Sequence, residues 1–167
     1  LVAPPSQTGD GTLRVTDTGI GLTAAEMTDL LATIGRSSKR DDYAFARADF
    51  LGQFGIGLLS CFLVADEIEV RSRSARTPDA ETVVWTGRGD GTYRVGTAAE
   101  PLAEPGTEVT LRPRRDDAVW FRDDTVRELV ALFGSLLPVP VRVGAQTLTG
   151  KAPPWQLGRR ESEQYCS

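Results

Sequence analysis

The chain has 167 residues, 40% hydrophobic and 25% charged, with a formal charge of −4. These are the proportions of one globular domain with a single core, and they exclude a disordered chain. The acidic balance offers no basic face for nucleic acid. No apolar run of about 18 residues and no basic-then-apolar leader occurs, so neither a membrane span nor a signal peptide is expected. Two cysteines, Cys61 in an apolar run and Cys166 near the end, suit a reduced, cytoplasmic compartment. The absence of histidine removes imidazole as base, triad member or metal ligand.

Residues 4–11 hold two prolines, a serine and two glycines and read as a loop into a short strand over 12–15, with Asp17 at its end. A helix over about 24–34 follows. Thr23 and Glu26 have capping-box spacing, and Met27, Leu30, Leu31 and Ile34 recur at helical intervals on the side expected to pack on a sheet. Residues 36–50 are charged with scattered aromatics; they read as a solvated connection or as a cover over a site. Gly52, Gly55 and Gly57 punctuate the front of an apolar helix over about 55–64. Strands are expected at 67–74, with Ile68 and Val70 on one side and Glu67, Glu69, Arg71 and Arg73 on the other, and at 81–87 and 92–96 around an Asp90-Gly91 turn.

A loop over 97–106 leads to a strand over 107–111. Beyond Trp120 a second amphipathic helix is expected over about 124–136, with Val126, Leu129, Val130, Phe133 and Leu137 at helical spacing. Residues 139–143 alternate as a strand, and Pro140 places it at an edge or makes it a strand start. The polar stretch 151–167 is expected to lead toward another domain, which divides the chain into 1–149 and 150–167. Short turns between the strands from 67 to 96 imply an antiparallel meander. The fold class is therefore α+β, a two-layer sandwich of a mixed, largely antiparallel sheet covered by helices on one face.

Glycine admits positive φ and close approach, and the first N–H groups of a helix have no internal partner. On composition, residues 52–57 are either a phosphate-docking turn or a tight turn ahead of a core helix. They follow a charged loop rather than a strand, unlike a dinucleotide fingerprint, and a Walker-type Gly-Lys-Ser/Thr is missing. Asp17, with Gly19 and Gly21 beside it, offers acceptors to an adenine amino group or merely caps the turn over 18–21. Thr107 places a hydroxyl beside the same base or simply opens a strand. Arg36 and Lys39 reach outer phosphates or are surface charges.

Several stretches then fall into a recognisable order: Asp17-Thr18-Gly19-Ile20-Gly21-Leu22, Leu31-Ala32-Thr33-Ile34-Gly35-Arg36-Ser37-Ser38-Lys39, Gly52-Gln53-Phe54-Gly55-Ile56-Gly57-Leu58-Leu59-Ser60, Leu63-Val64-Ala65-Asp66 and Gly106-Thr107-Glu108-Val109-Thr110-Leu111. Over about residues 12–143 the chain resembles the ATP-binding domain of the heat shock protein 90 chaperones, the bacterial HtpG-like members in particular. The resemblance implies ATP or ADP as ligand, with Asp17 accepting from the adenine amino group, directly and through water shared with Gly21 and Thr107. Leu22 and Leu58 would line opposite walls. Arg36 and Ser37 would lie near the phosphates at the hinge of the cover, and Gln53, Phe54, Gly55, Ile56 and Gly57 would wrap them.

The resemblance also implies a complete protein that hydrolyses ATP with magnesium, assists the folding of client proteins and forms a homodimer. In the family a helix ahead of these motifs supplies a Glu to activate water and an Asn to hold magnesium. The chain opens at Leu1 without that helix and contains no Asn, so no catalytic residue or metal ligand is assigned and binding is expected rather than turnover. The segment 37–51 is shorter than the family's lid, and Ser38-Lys39 replaces Gly-Thr. The alternatives are an ATPase module of a MutL- or gyrase-type DNA-processing protein, whose relatives usually open the first motif with Asp-Asn-Gly, and a non-catalytic interaction module with a decayed site. Leucine at 22 and 58 keeps the pocket apolar, which argues against decay.

Overall fold

The computed structural model describes residues 1–32, 57–77, 79–134, 137 and 139–148. In chain order these form β1 (Val2–Ala3), α1 (Pro5–Thr8), β2 (Leu13–Asp17), α2 (Ala24–Ala32) and α3 (Gly57–Ser60), then a 3-10 turn over Cys61–Leu63 and β3 (Ala65–Arg73). β4 (Val83–Arg88), β5 (Tyr93–Thr97) and β6 (Gly106–Pro113) follow, then a 3-10 turn over Ala118–Phe121, α4 (Asp123–Gly134), β7 (Arg142–Val143) and β8 (Gln146–Thr147). The strands make one eight-stranded sheet in the order β5-β4-β3-β6-β2-β1-β7-β8. Among the described strands only the β1–β7 pair is parallel. The expected α+β sandwich, a mixed and largely antiparallel sheet with helices on one face, is the observed one.

Side-chain alternation explains the two faces of this sheet. In β3, Ile68, Val70 and Ser72 are buried, while Glu67, Glu69, Arg71 and Arg73 occupy the opposite face. That polar face is tied by cross-strand ion pairs. Arg71 stands opposite Glu108 at 3.3 Å, and Glu67 opposite Arg88 at 3.1 Å. Cross-strand ion pairs that keep contact with solvent, as both of these do, contribute about 0.2–1 kcal/mol each, so the apolar face carries most of the stability. There Met27 of α2 packs with Ile68, Val70, Trp85, Leu111 and Phe121. A smaller cluster of Val2, Val126 and Val143 lies under α4.

Local chemistry sets the element ends. The capping box at α2 forms as its sequence requires: Thr23 N–H donates to Glu26 Oε2 at 2.9 Å, and Glu26 N–H donates to Thr23 Oγ1 at 3.3 Å. Between β4 and β5, Asp90 Oδ1 accepts from the Thr92 N–H at 2.8 Å, and the antiparallel meander of β3, β4 and β5 follows. The loop after β5 is held by β3, since Arg73 Nη1 donates to the carbonyls of Leu102 and Ala103 at 2.9 Å each.

Several elements differ from expectation. A helical turn forms inside the stretch read as a loop, because Pro5 has its φ preset at the first helical position and Gly9 takes φ +75° to end it. From Gly57 the apolar helix is one α-turn followed by a 3-10 turn, and β3 starts at Ala65 rather than 67. On α4, Val126 is buried and Val130 packs beside it. Leu129, Leu132 and Phe133 are 37%, 67% and 72% exposed, because two-residue strands give the helix only a narrow seat. The strand expected over 139–143 is confined to Arg142–Val143, beyond Pro140, which has no N–H to give a ladder. The side chains of Leu30, Leu31 and Ile34, the possible cover over 36–50 and the segment 150–167 lie outside the described residues.

Candidate functional site

Three neighbouring strands end at one place. Asp17 of β2 stands opposite Thr107 of β6, and Thr107 stands opposite Ser72 of β3. The register puts all three on the core-facing side of the sheet, at the end of a column of apolar partners such as Val15, Val109 and Val70. Asp17 Oδ1 accepts from the Gly19 N–H at 2.8 Å, so one carboxylate oxygen does cap the turn. Its second oxygen has no hydrogen-bond partner among the described residues. A Cβ on residue 19 would stand 2.8 Å from Oδ1, so glycine there lets the amide reach the carboxylate.

The loop over 18–22 is held by two hydrogen bonds, one to β3 and one to Ala75 just beyond it, and approaches β3 closely between them. Ala75 N–H donates to the Ile20 carbonyl at 2.8 Å, and Leu22 N–H donates to Ser72 Oγ at 2.8 Å. Between them Gly21 takes φ +63°, and a Cβ there would lie 1.9 Å from the Arg73 carbonyl oxygen. Gly106 plays the same part on the other side: at φ +146°, its Cβ would lie 2.3 Å from the Asp17 carbonyl oxygen. The two glycines therefore let two loops close over the strand ends. An open hollow beside them is lined by Thr18, Gly19, Ile20, Ala75, Glu104 and Pro105.

Beneath the loop the surroundings are apolar. Leu22 and Leu58 are partly buried, and both pack against the cluster around Met27 and Ile68. A carboxylate oxygen and a hydroxyl above such a floor suit a flat ring that donates hydrogen bonds from its edge. Among the described residues no group of three or more Cys, Asp or Glu side chains is placed to hold a metal ion.

No family model matches the chain. Individual proteins do. The chaperone protein HtpG of Actinobacillus succinogenes is 37% identical over 139 residues, covering 80% of this chain and 22% of that protein. HtpG of Pasteurella multocida is 34% identical over 142 residues, covering 81% and 22%. HtpG of Desulfitobacterium hafniense is 33% identical over 164 residues, covering 92% and 26%. The chain belongs to the HtpG-like, heat shock protein 90 family. It spans about a quarter of the length of the curated relatives it matches.

In this HtpG-like chain the strand ends bring Asp17, Gly21, Leu22 and Thr107 together, and Leu58 reaches the same apolar cluster. Gly57 opens α3 and is exposed, with open space where a Cβ would be. Arg36, Ser37, Gln53, Phe54, Gly55 and Ile56 lie outside the described residues. Sequence reasoning missed Ser72, which is fully buried and bonded to both loops. The signal was the period of β3, since Ser72 follows Ile68 and Val70 on the apolar side.

Proposed function

We propose that the chain binds an adenine nucleotide at the ends of β2 and β6, as the ATP-binding domain of a chaperone. Its complete form would hydrolyse ATP to ADP and phosphate and assist the folding of client proteins as a homodimer. Asp17 carries this proposal. One of its oxygens is fixed by the Gly19 N–H, the other has no hydrogen-bond partner among the described residues, and Thr107 stands opposite Asp17 in the ladder. A base presenting a carbonyl there would set acceptor against acceptor and leave one unpaired, whereas the adenine amino group donates.

Gly21 would let the loop approach the base, with Leu22 and Leu58 as apolar walls. Gln53, Phe54, Gly55, Ile56 and Gly57 would wrap the phosphates, with Arg36 and Ser37 near them. Residues 1–149 would form this domain and 150–167 a segment leading out of it. The described residues bring together no acidic group fit for magnesium, so no step is assigned to the metal.

The test is calorimetric titration of the complete protein with ADP, with and without magnesium, beside Asp17→Asn. The variant keeps an oxygen for Gly19 but turns an amide donor toward the base. A hydrogen bond to a charged group contributes about 1.5–3 kcal/mol, so affinity should fall by about tenfold or more. Equal affinity in the variant, or no binding by the natural protein, rejects the assignment.

A further inference from the structure

The hydroxyl of Ser72 is fully buried and stands among three groups. The Leu22 N–H lies 2.8 Å from its Oγ, the Gly106 carbonyl oxygen 3.0 Å and Thr107 Oγ1 2.9 Å. A serine hydroxyl has one proton and two lone pairs. The amide can only donate and the carbonyl can only accept, so the amide takes one lone pair and the Ser72 proton goes to the carbonyl. A lone pair then remains for Thr107, whose hydroxyl must donate to Ser72. The opposite polarity, Ser72 donating to Thr107, leaves the carbonyl without this bond and makes two bonds where the first arrangement makes three.

The single proton of Thr107 is thereby committed inward. Toward a ligand Thr107 shows lone pairs only, and so does the carboxylate of Asp17 across the β2–β6 ladder. A water bridging the two would donate both its protons to them and likewise turn lone pairs outward. We infer that Ser72 is a positioning residue that fixes the polarity of Thr107, so that the strand ends accept only and select a purine carrying an amino group rather than a carbonyl at its six-position. This rests on the nucleotide reading above and adds to it the residue that sets the polarity of Thr107.

Two ligands separate the cases: ADP, and inosine diphosphate, whose six-position is a carbonyl. Both are titrated calorimetrically into the natural complete protein and its Ser72→Ala and Thr107→Val forms, with circular dichroism and melting confirming the fold. In Ser72→Ala the Thr107 proton is released and can turn to a carbonyl. The ratio of ADP to inosine diphosphate affinity should then fall about fivefold, the range of one neutral hydrogen bond. Loosening of the loop at Leu22 would weaken both ligands together and leave that ratio unmoved, so the ratio distinguishes polarity from mere support.

Thr107→Val, nearly isosteric, keeps the inference falsifiable if Ser72→Ala does not fold. It should weaken ADP several-fold and change inosine diphosphate by less than about twofold, because no donor is lost. An unchanged ratio in folded Ser72→Ala, or equal weakening of both ligands by Thr107→Val, overturns the role of Ser72 while ADP binding by the natural protein stands. No ADP binding by the natural protein overturns the nucleotide reading and this inference together.

Discussion

At Gly21 two constraints coincide. Its φ is +63°, and the place of a Cβ is taken by the Arg73 carbonyl oxygen 1.9 Å away. A left-handed conformation costs an L-residue about 1–2 kcal/mol and overpacking about 1–3 kcal/mol, so Gly21→Ala should lose about 2–5 kcal/mol by urea unfolding and impair ADP binding. Gly9 provides the control: its φ is +75°, but nothing lies within 4 Å of its Cβ position. Gly9→Ala should therefore show the backbone cost alone, about 1–2 kcal/mol. Equal losses in the two variants would show that the loop moves freely away from β3. Asp17, Gly21 and Thr107 were legible because acidic, glycine and hydroxyl residues stand at strand ends in recognisable order. Ser72 was not, because a serine inside a charged-looking strand reads as surface until its parity with Ile68 and Val70 is followed.

At the scale of the element, α2 shows how much a local pattern settles. The reciprocal bonds of Thr23 and Glu26 satisfy amides that the first helical turn leaves free. Thr23→Ala should cost about 1 kcal/mol in thermal or urea unfolding. The Thr23 N–H, opposed by partial burial and aided by the Arg76 guanidinium, holds the Glu26 carboxyl below its ordinary pKa of 4.5. A depressed carboxyl contributes stability above its unfolded pKa, and that contribution is lost as pH falls through the folded value. The stability gap between the natural protein and Glu26→Gln should therefore shrink as pH falls below the ordinary value and through the lower folded one; a constant gap would mean that the amide suffices without charge. Periodicity was a poorer guide for α4. It marks every apolar residue on a face but not how wide a surface the strands beneath can offer, so Val126 is buried and Phe133 is exposed.

Across the whole molecule, the meander from β3 to β5 was legible because short turns force neighbours to pair. The placing of β2 between β6 and β1, and the parallel β1–β7 contact, depend on partners far along the chain that no local pattern identifies. These long-range pairings join two apolar clusters, and Leu13 of β2 packs against both. Elsewhere β1 and β2 are joined through the register of Val2 with Val15 and Ala3 with Arg14 and through the two hydrogen bonds that Leu1 exchanges with Thr16, a short ladder at the very end of the chain. Leu13→Ala should thus do more than lower stability. Its direct cost is about 2–3 kcal/mol, at the lower end for leucine because the side chain is only partly buried. Removing the shared side chain should also let the side built from α4, β1 and β7 open before the main cluster. Trp85, buried in the main cluster, reports that half by fluorescence once Trp120 and Trp155 are replaced by phenylalanine, while far-ultraviolet dichroism sums over all helices and so carries the loss of α4, the longest helix among the described residues, as a partial early change. The two urea transitions should coincide in the natural core and separate in Leu13→Ala, with dichroism falling first. Val126→Ala, confined to the small cluster, sets the scale for weakening that half alone. If the Leu13→Ala transitions still coincide, the hydrogen-bonded ladder of β2 with β6 and β1 is enough to make the sheet one cooperative unit.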